Sequence, residues 1–97
     1  MDKYIYLNEL YDYYKELFTD KQKEYFEEYY FNNLSLSEIA DNYGVSRNAV
    51  YNELKIMENK LEELEKKLKL KEKKNKIVEL LENKIDNKTM KSIKNIL

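Results

Sequence analysis

Apolar and aromatic residues recur every three or four positions through the first thirty residues of the chain. In the first segment these positions are Leu7, Leu10, Tyr11, Tyr14, Leu17 and Phe18. In the second segment they are Tyr25, Phe26, Tyr29 and Tyr30. Because an α-helix makes a turn about every 3.6 residues, each set lies on one face of a helix. The pattern predicts two amphipathic helices, at about residues 2–18 and 20–32, that pack face to face.

Two short polar motifs have the form of helix capping boxes. Thr19 is followed three residues later by Gln22, and Ser35 is followed three residues later by Glu38. In a capping box the hydroxyl accepts a hydrogen bond from the third amide of the helix, and the longer side chain reaches back to the amide of the cap. The motifs predict that the second helix begins just after Thr19 and that a third helix, at about residues 36–43, begins after Ser35.

The third helix and the segment after it have the spacing of a helix-turn-helix. Ala40 is small enough to let two helices cross closely, and Gly44 allows the positive φ of a tight turn. Ser46 is a good N-cap, and Val50 lies where the next helix would bury an aliphatic side chain against the third. We therefore predict a recognition helix that begins at residue 46.

The apolar pattern continues past the recognition helix at alternating steps of four and three residues. Its positions are Val50, Leu54, Met57, Leu61, Leu64 and Leu68. A helix from Ser46 to about Asn75 would be roughly 45 Å long, which is more than a small domain needs for its own core. Two interpretations remain open. The stripe is a coiled-coil dimer seam, or the segments 77–81 and 90–97 fold back to cover it.

The end of the chain carries two further apolar stripes, separated by a polar break. The first is Ile77, Val78, Leu80, Leu81 and Ile85, and the second is Met90, Ile93, Ile96 and Leu97. Asn87 is the predicted cap of the last helix. The organisation expected is a helix-turn-helix domain at residues 1–56, followed at residues 57–97 by the continuation of the long helix and a helical tail.

Composition agrees with helices and narrows the possible chemistry. The chain has one glycine and no proline, cysteine or histidine. Phosphate-binding glycine loops, disulfides, the usual zinc sites and imidazole catalysis are therefore excluded. The apolar runs are too short to span a bilayer. We expect an all-α protein that is cytoplasmic, is not inserted in a membrane, is not an enzyme, and uses no cofactor or metal.

Charge and aromatic residues divide the chain into unlike halves. Residues 1–50 hold five basic and ten acidic side chains, a net charge of −5, whereas residues 51–97 hold thirteen basic and nine acidic side chains, a net charge of +4. All ten tyrosines and all three phenylalanines lie at or before Tyr51. The core is therefore expected in the first half. The lysine-rich stretch 69–76 is either a solvated helix face or a surface for nucleic-acid phosphates.

Four segments resemble the YlxM family of small bacterial helix-turn-helix proteins. They are Leu17–Gln22, the pair Tyr29–Tyr30, Leu34–Ala40 and Val45–Tyr51, and the match extends over about residues 4–70. The resemblance implies a bundle similar to region 4 of bacterial sigma factors, a module that reads DNA with its recognition helix in the major groove. Because family members are usually encoded beside the signal recognition particle GTPase and its receptor, it also implies a role in that protein-targeting pathway.

Carried over residue by residue, the sigma-like motif assigns five groove-facing residues. They are Arg47, Asn48, Tyr51, Asn52 and Lys55. Arginine suits the guanine edge, asparagine suits adenine, and tyrosine and lysine suit phosphate. The chain departs from the motif at Glu53, where sigma-type modules carry an aliphatic residue and where an acid would repel phosphate.

Two functional hypotheses follow. The first is a regulatory protein that binds double-stranded DNA, is dimeric through the long helix, and reads paired half-sites. The second is an accessory factor of the signal recognition particle that binds the particle's GTPase or RNA and does not bind DNA specifically. The helix-turn-helix favours the first hypothesis, and the acidic first half with its lysine-rich tail favours the second.

Overall fold

The computed structural model describes residues 2–97, and all regular structure in this range is helical. The α-helices are α1 (Lys3–Tyr14), α2 (Asp20–Tyr30), α3 (Leu36–Tyr43), α4 (Arg47–Leu68), α5 (Leu70–Leu81) and α6 (Asn87–Ile96). One turn of 3-10 helix, Lys15–Leu17, follows α1. The all-α prediction is confirmed.

Both capping boxes are formed. The Thr19 hydroxyl accepts a hydrogen bond from the Gln22 amide at 3.1 Å, and the Gln22 side chain accepts one from the Thr19 amide at 3.0 Å. Ser35 and Glu38 make the same pair of bonds, at 3.1 and 3.0 Å. Each cap satisfies amides that a helix start leaves without partners, which is why α2 and α3 begin where the sequence predicts.

The turn between α3 and α4 also has its predicted form. Gly44 ends α3 with a φ of 65°, a left-handed conformation that strains residues with a Cβ. The Val45 amide then donates to the Ala40 carbonyl at 3.0 Å, which closes the end of α3. The Ser46 hydroxyl accepts from the Ala49 amide at 3.0 Å and starts α4. Local chemistry therefore sets the angle between the two helices.

Aromatic and aliphatic side chains from α1, α2, α3 and the first half of α4 form the core. The rings of Tyr11 and Phe26 stack at 4.1 Å between α1 and α2. Leu17, expected on the inner face of the first helix, is instead 64% exposed. The tighter 3-10 turn rotates Leu17 away from the core, whereas Phe18 stays buried. The core residues are Leu7, Leu10, Tyr11, Tyr14, Phe18, Tyr25, Phe26, Tyr30, Ile39, Ala40, Val50, Leu54, Met57 and Leu61.

The long apolar stripe of α4 is part of this core. Its first four positions, from Val50 to Leu61, are at most 4% exposed and pack against α1, α2 and α3 of the same chain. At these four positions the body of the same chain covers the stripe, and neither a dimer seam nor a folded-back tail does so. A continuous helix to about Asn75 does not form, because α4 ends at Leu68.

A buried carboxylate explains where α4 ends. Lys69 has a φ of 56° and gives α5 no side-chain cap. The Glu65 carboxylate, 9% exposed, instead accepts hydrogen bonds from the Lys71 and Glu72 amides, both at 3.1 Å. It also accepts one from the Tyr14 hydroxyl at 2.8 Å. Glu65 therefore caps α5 from the preceding helix and joins it to α1.

The structure thus has two parts, which we call the body (residues 2–68) and the tail (residues 69–97). Among the described tail residues, Met90 alone is buried. The last helix is capped by Asp86, which accepts from the Thr89 amide at 2.6 Å, so the predicted cap at Asn87 lies one residue too late. The radius of gyration is 16.5 Å, against about 12.5 Å for a compact chain of this length.

Candidate nucleic-acid interface

The close packing of α3 on α4 presents the first turns of α4 to solvent. Ile39 of α3 and Val50 of α4 are each 0% exposed, and Ala40 between them is 4% exposed. The small side chain of Ala40 lets the two helices approach each other closely. This packing holds α4 from one side and leaves its opposite side free to contact another molecule.

All five predicted groove-facing residues of α4 lie on that free side. Their positions along the helix span about 140° of its circumference, at 100° per residue. Each of the five side chains is exposed, so the structure brings them together on one face. They are Arg47, Asn48, Tyr51, Asn52 and Lys55.

Three of these residues also line a surface cavity of about 390 Å³. Arg47, Tyr51 and Lys55 form one wall. Asn48 and Asn52 do not line it. The remaining lining residues are Tyr29, Leu36, Leu54 and Glu58. Sequence reasoning placed Tyr29 and Leu54 on apolar helix faces and overlooked Glu58, although its position one turn beyond Lys55 placed it on the same face.

Glu58 changes the electrostatics of this face. Its carboxylate lies 3.7 Å from the Lys55 ammonium and accepts a hydrogen bond from the Tyr30 hydroxyl. Burial raises the pKa of Tyr30 well above its ordinary value, and the bond to Glu58 raises it further. Tyr30 therefore stays protonated and holds Glu58 beside Lys55. The positive charge of Lys55 is partly neutralised before any ligand arrives.

The floor of the cavity is supported by Tyr4, a residue outside the apolar stripe of the first helix. Its hydroxyl donates to the Tyr29 carbonyl at 3.0 Å, and its ring lies 4.6 Å from the Tyr30 ring. Tyr4 thereby ties the start of α1 to the end of α2. The side chains of α2 that face α4 are held in place from behind.

Glu53 lies on a different side of α4 from the candidate contacts. Its carboxylate accepts a hydrogen bond from the Gln22 side chain at 2.7 Å. Two helix positions correspond to a rotation of about 200°, so Glu53 points away from both Tyr51 and Lys55. The acid that departs from the sigma-type pattern therefore links α4 to the capping box of α2.

The interface carries little positive charge overall. Arg47 and Lys55 are its cations, and the adjacent α3 carries the exposed acids Glu38 and Asp41. Hydrogen bonding from the Ser35 amide lowers the pKa of Glu38, which keeps this acid ionised near neutral pH. Two phosphate contacts would give a slope of only about −1.8 in a plot of log affinity against log salt.

Within residues 2–97 no three His, Cys, Asp or Glu side chains are arranged to hold a metal ion. In the same range, every helix is too short or too polar to cross a membrane.

Comparison with known proteins places the chain in a family. The matching family model, UPF0122, covers residues 1–96 and is described as "Putative helix-turn-helix protein, YlxM / p13 like". A Mycoplasma mycoides protein named "Probable UPF0122 protein" is 44% identical over 102 aligned positions, covering 100% of this chain and 90% of the relative. A UPF0122 protein from Mycoplasma capricolum is 45% identical with the same coverage.

A further relative aligns with only part of the chain. A UPF0122 protein from Shouchella clausii is 51% identical over 58 residues, which are 60% of this chain and 53% of the relative. The mycoplasma alignments, in contrast, include the tail. Since the family model spans almost every residue and the helix-turn-helix is formed, this chain belongs to the UPF0122 family of YlxM/p13-like helix-turn-helix proteins.

Proposed function

We propose that this protein is a DNA-binding helix-turn-helix regulator that inserts the start of α4 into the major groove. The observation that carries the proposal is the exposed face of α4, where five side chains suited to bases and phosphates lie together. The helix is fixed from behind by α3, so it enters the groove without rearrangement of the body.

The chemistry of each side chain assigns it a contact. The Arg47 guanidinium suits the O6 and N7 acceptors of guanine, and the side-chain amides of Asn48 and Asn52 suit adenine. The Tyr51 hydroxyl donates to phosphate, and Lys55 neutralises one. Because Glu58 already pairs with Lys55, Arg47 supplies the larger share of the affinity.

The cellular role is inferred from the resemblance to the YlxM family described above. On this basis the regulator acts in the signal recognition particle pathway, in the cytoplasm, without catalysis and without a cofactor. The resemblance to region 4 of sigma factors implies docking with the recognition helix in the major groove. The exposed face of α4 supports the same docking mode.

Salt titration of binding to a random-sequence DNA duplex tests the proposal. We expect salt-sensitive binding by the wild type and loss of at least tenfold in affinity for Arg47→Ala. Lys60→Ala is the matched control, because Lys60 is an exposed cation of the same helix outside the five-residue face. Equal affinity for all three proteins, or no duplex binding by the wild type, would sink the proposal.

The same titration reports on Glu58. Replacing Glu58 with Gln removes the partner of the Lys55 ammonium while keeping an acceptor for Tyr30. We expect the salt slope to steepen by up to about 0.9, the value of one full phosphate contact, because Glu58 no longer neutralises the Lys55 ammonium. An unchanged slope would mean that Lys55 does not face phosphate.

A second candidate function is favoured by the charge of the two parts. The first fifty residues have a net charge of −5, and the remainder has a net charge of +4. This division suits an accessory factor that binds the GTPase or the RNA of the signal recognition particle. In that case Arg47→Ala retains binding to these probes, whereas replacing the exposed Lys73, Lys76 and Lys91 with Gln weakens it.

A further inference from the structure

The tail exposes apolar side chains that its own chain does not cover. Leu80 is 66% exposed, Ile96 is 83% exposed and Ile77 is 39% exposed. Its helices have 12 and 10 residues, and isolated helices shorter than about 12–15 residues are marginal in water. Helices this short depend on tertiary packing of an apolar face. The tail therefore needs a surface to pack on.

The junction with the body of the same chain is mainly polar. The Lys71 ammonium lies 3.0 Å from the Glu9 carboxylate, and the Lys74 ammonium lies 5.6 Å from the centre of the Tyr13 ring. The capping bonds of Glu65 complete the junction. All residues of α5 are described, and none is buried. These contacts fix the start of α5 and leave the apolar positions nearer the end of the tail uncovered.

Charge indicates which surface complements the tail. Residues 69–97 carry nine lysines and four acidic side chains, a net charge of +5. Residues 1–68 carry nine basic and fifteen acidic side chains, a net charge of −6. On α2, the exposed Glu24 and Glu27 lie close in sequence to Phe31, whose side chain is 45% exposed. This α2 surface thus offers negative charge for the tail lysines and an apolar side chain for the exposed apolar residues of the tail.

We propose that the tail of one copy packs on the acidic α2 surface of a second copy, around Glu24, Glu27 and Phe31, and that the second copy's tail packs back in the same way. A second copy is the partner because each copy carries both complementary surfaces. One two-fold arrangement then covers both tails and compensates both charge imbalances. The interface is separate from the first four positions of the α4 stripe, which are buried within each body.

Sedimentation velocity over a wide range of protein concentration tests the assembly. We expect a wild-type dimer whose dissociation constant rises at least tenfold in the double variant Leu80→Glu, Ile96→Glu. Ile56→Glu is the matched control, because Ile56 is 55% exposed on α4, outside both proposed surfaces. Circular dichroism of each variant shows whether the helices remain. A wild type that sediments as a monomer throughout overturns the proposal and leaves the tail to another partner.

Cross-linking locates the contact independently of any variant. Isotopically light and heavy copies of the full chain are mixed and treated with a carbodiimide, which joins a lysine directly to a carboxylate. We expect mixed-isotope links between tail lysines and acids of α2, and fewer links as salt is raised. A dimer whose mixed links all lie outside these elements overturns the proposed arrangement. Neither experiment uses DNA, so its outcome is independent of the proposed function.

Discussion

The body and the tail are both mainly helical, but they are stabilised in different ways. The body buries apolar side chains from each of its α-helices, and its α2 and α3 begin with complete capping boxes. The tail depends on the ion pair between Lys71 and Glu9, on the cap that Glu65 of α4 provides for α5, and on one buried methionine among its described residues. Helical pattern alone therefore does not produce a stable core, because burial of large apolar side chains supplies most of the stability.

The largest expected difference between the two parts is in the free energy of unfolding that is lost when truncation of a buried side chain leaves a cavity. Phe26 is 0% exposed at the centre of the body, and Phe26→Ala should lower the free energy of unfolding by about 3–5 kcal/mol. Met90→Ala in the tail should lower it by no more than about 2 kcal/mol, since Met90 lies outside the core cluster of the body. Urea denaturation followed by far-ultraviolet circular dichroism measures both. Equal losses would mean that the tail belongs to the same cooperative core.

The connection between the two parts depends on Glu65. Glu65→Ala leaves the Tyr14 hydroxyl and two amides without their acceptor, and we expect a loss of about 3 kcal/mol. Glu65→Gln keeps an acceptor oxygen and should lose about half as much. Hydrogen exchange should show faster exchange at the Lys71 and Glu72 amides than in the wild type. Unchanged protection of these amides in Glu65→Ala would contradict the proposal that Glu65 caps α5.

Alkaline pH should destabilise the body through its buried tyrosines. Burial, followed by the hydrogen bond to Glu27, raises the pKa of Tyr11 far above its ordinary value. A raised pKa means that folding favours the protonated phenol. This contribution is complete below the unfolded-state pKa of about 10 and is lost as pH rises above it, by up to about 1.4 kcal/mol per pH unit.

Stability measured against pH, with tyrosinate absorbance recorded in parallel, checks this expectation. Tyr11→Phe removes the phenol and should flatten the loss of stability above the ordinary pKa of tyrosine. The tail contains no tyrosine, so tyrosine ionisation acts on its helices only through the body. A Tyr11→Phe profile that falls as steeply as the wild type would mean that other groups control alkaline unfolding.

The smallest expected effects come from the helix caps, and they separate global from local stability. Ser35→Ala removes the cap of α3 and should lower the free energy of unfolding by about 1 kcal/mol. Asp86→Ala removes the cap of α6 and should increase hydrogen exchange in α6 with little change in global unfolding. If Asp86→Ala lowered the free energy of global unfolding as much as Ser35→Ala, the tail would unfold cooperatively with the body.

The sequence was most informative where structure depends on neighbours in the chain. The all-α class, the two capping boxes and the left-handed turn at Gly44 were predicted correctly, because each follows from helical spacing or from hydrogen bonds over three or four residues. The exposed face of α4 follows from the same periodicity. Its role in binding DNA and the division of the chain at residue 56 remain predictions.

The tertiary structure decided what depends on contacts between distant residues. Local propensity gives no reason for α4 to end before a lysine, yet Lys69 takes a left-handed conformation because Glu65 and Tyr14 bind the amides that follow. Glu58 is held beside Lys55 by Tyr30, which lies 28 positions earlier in the chain. By itself, the sequence determined the helices and the turn between α3 and α4. The buried polar contacts between helices decided where the body ends and how much charge the α4 face presents.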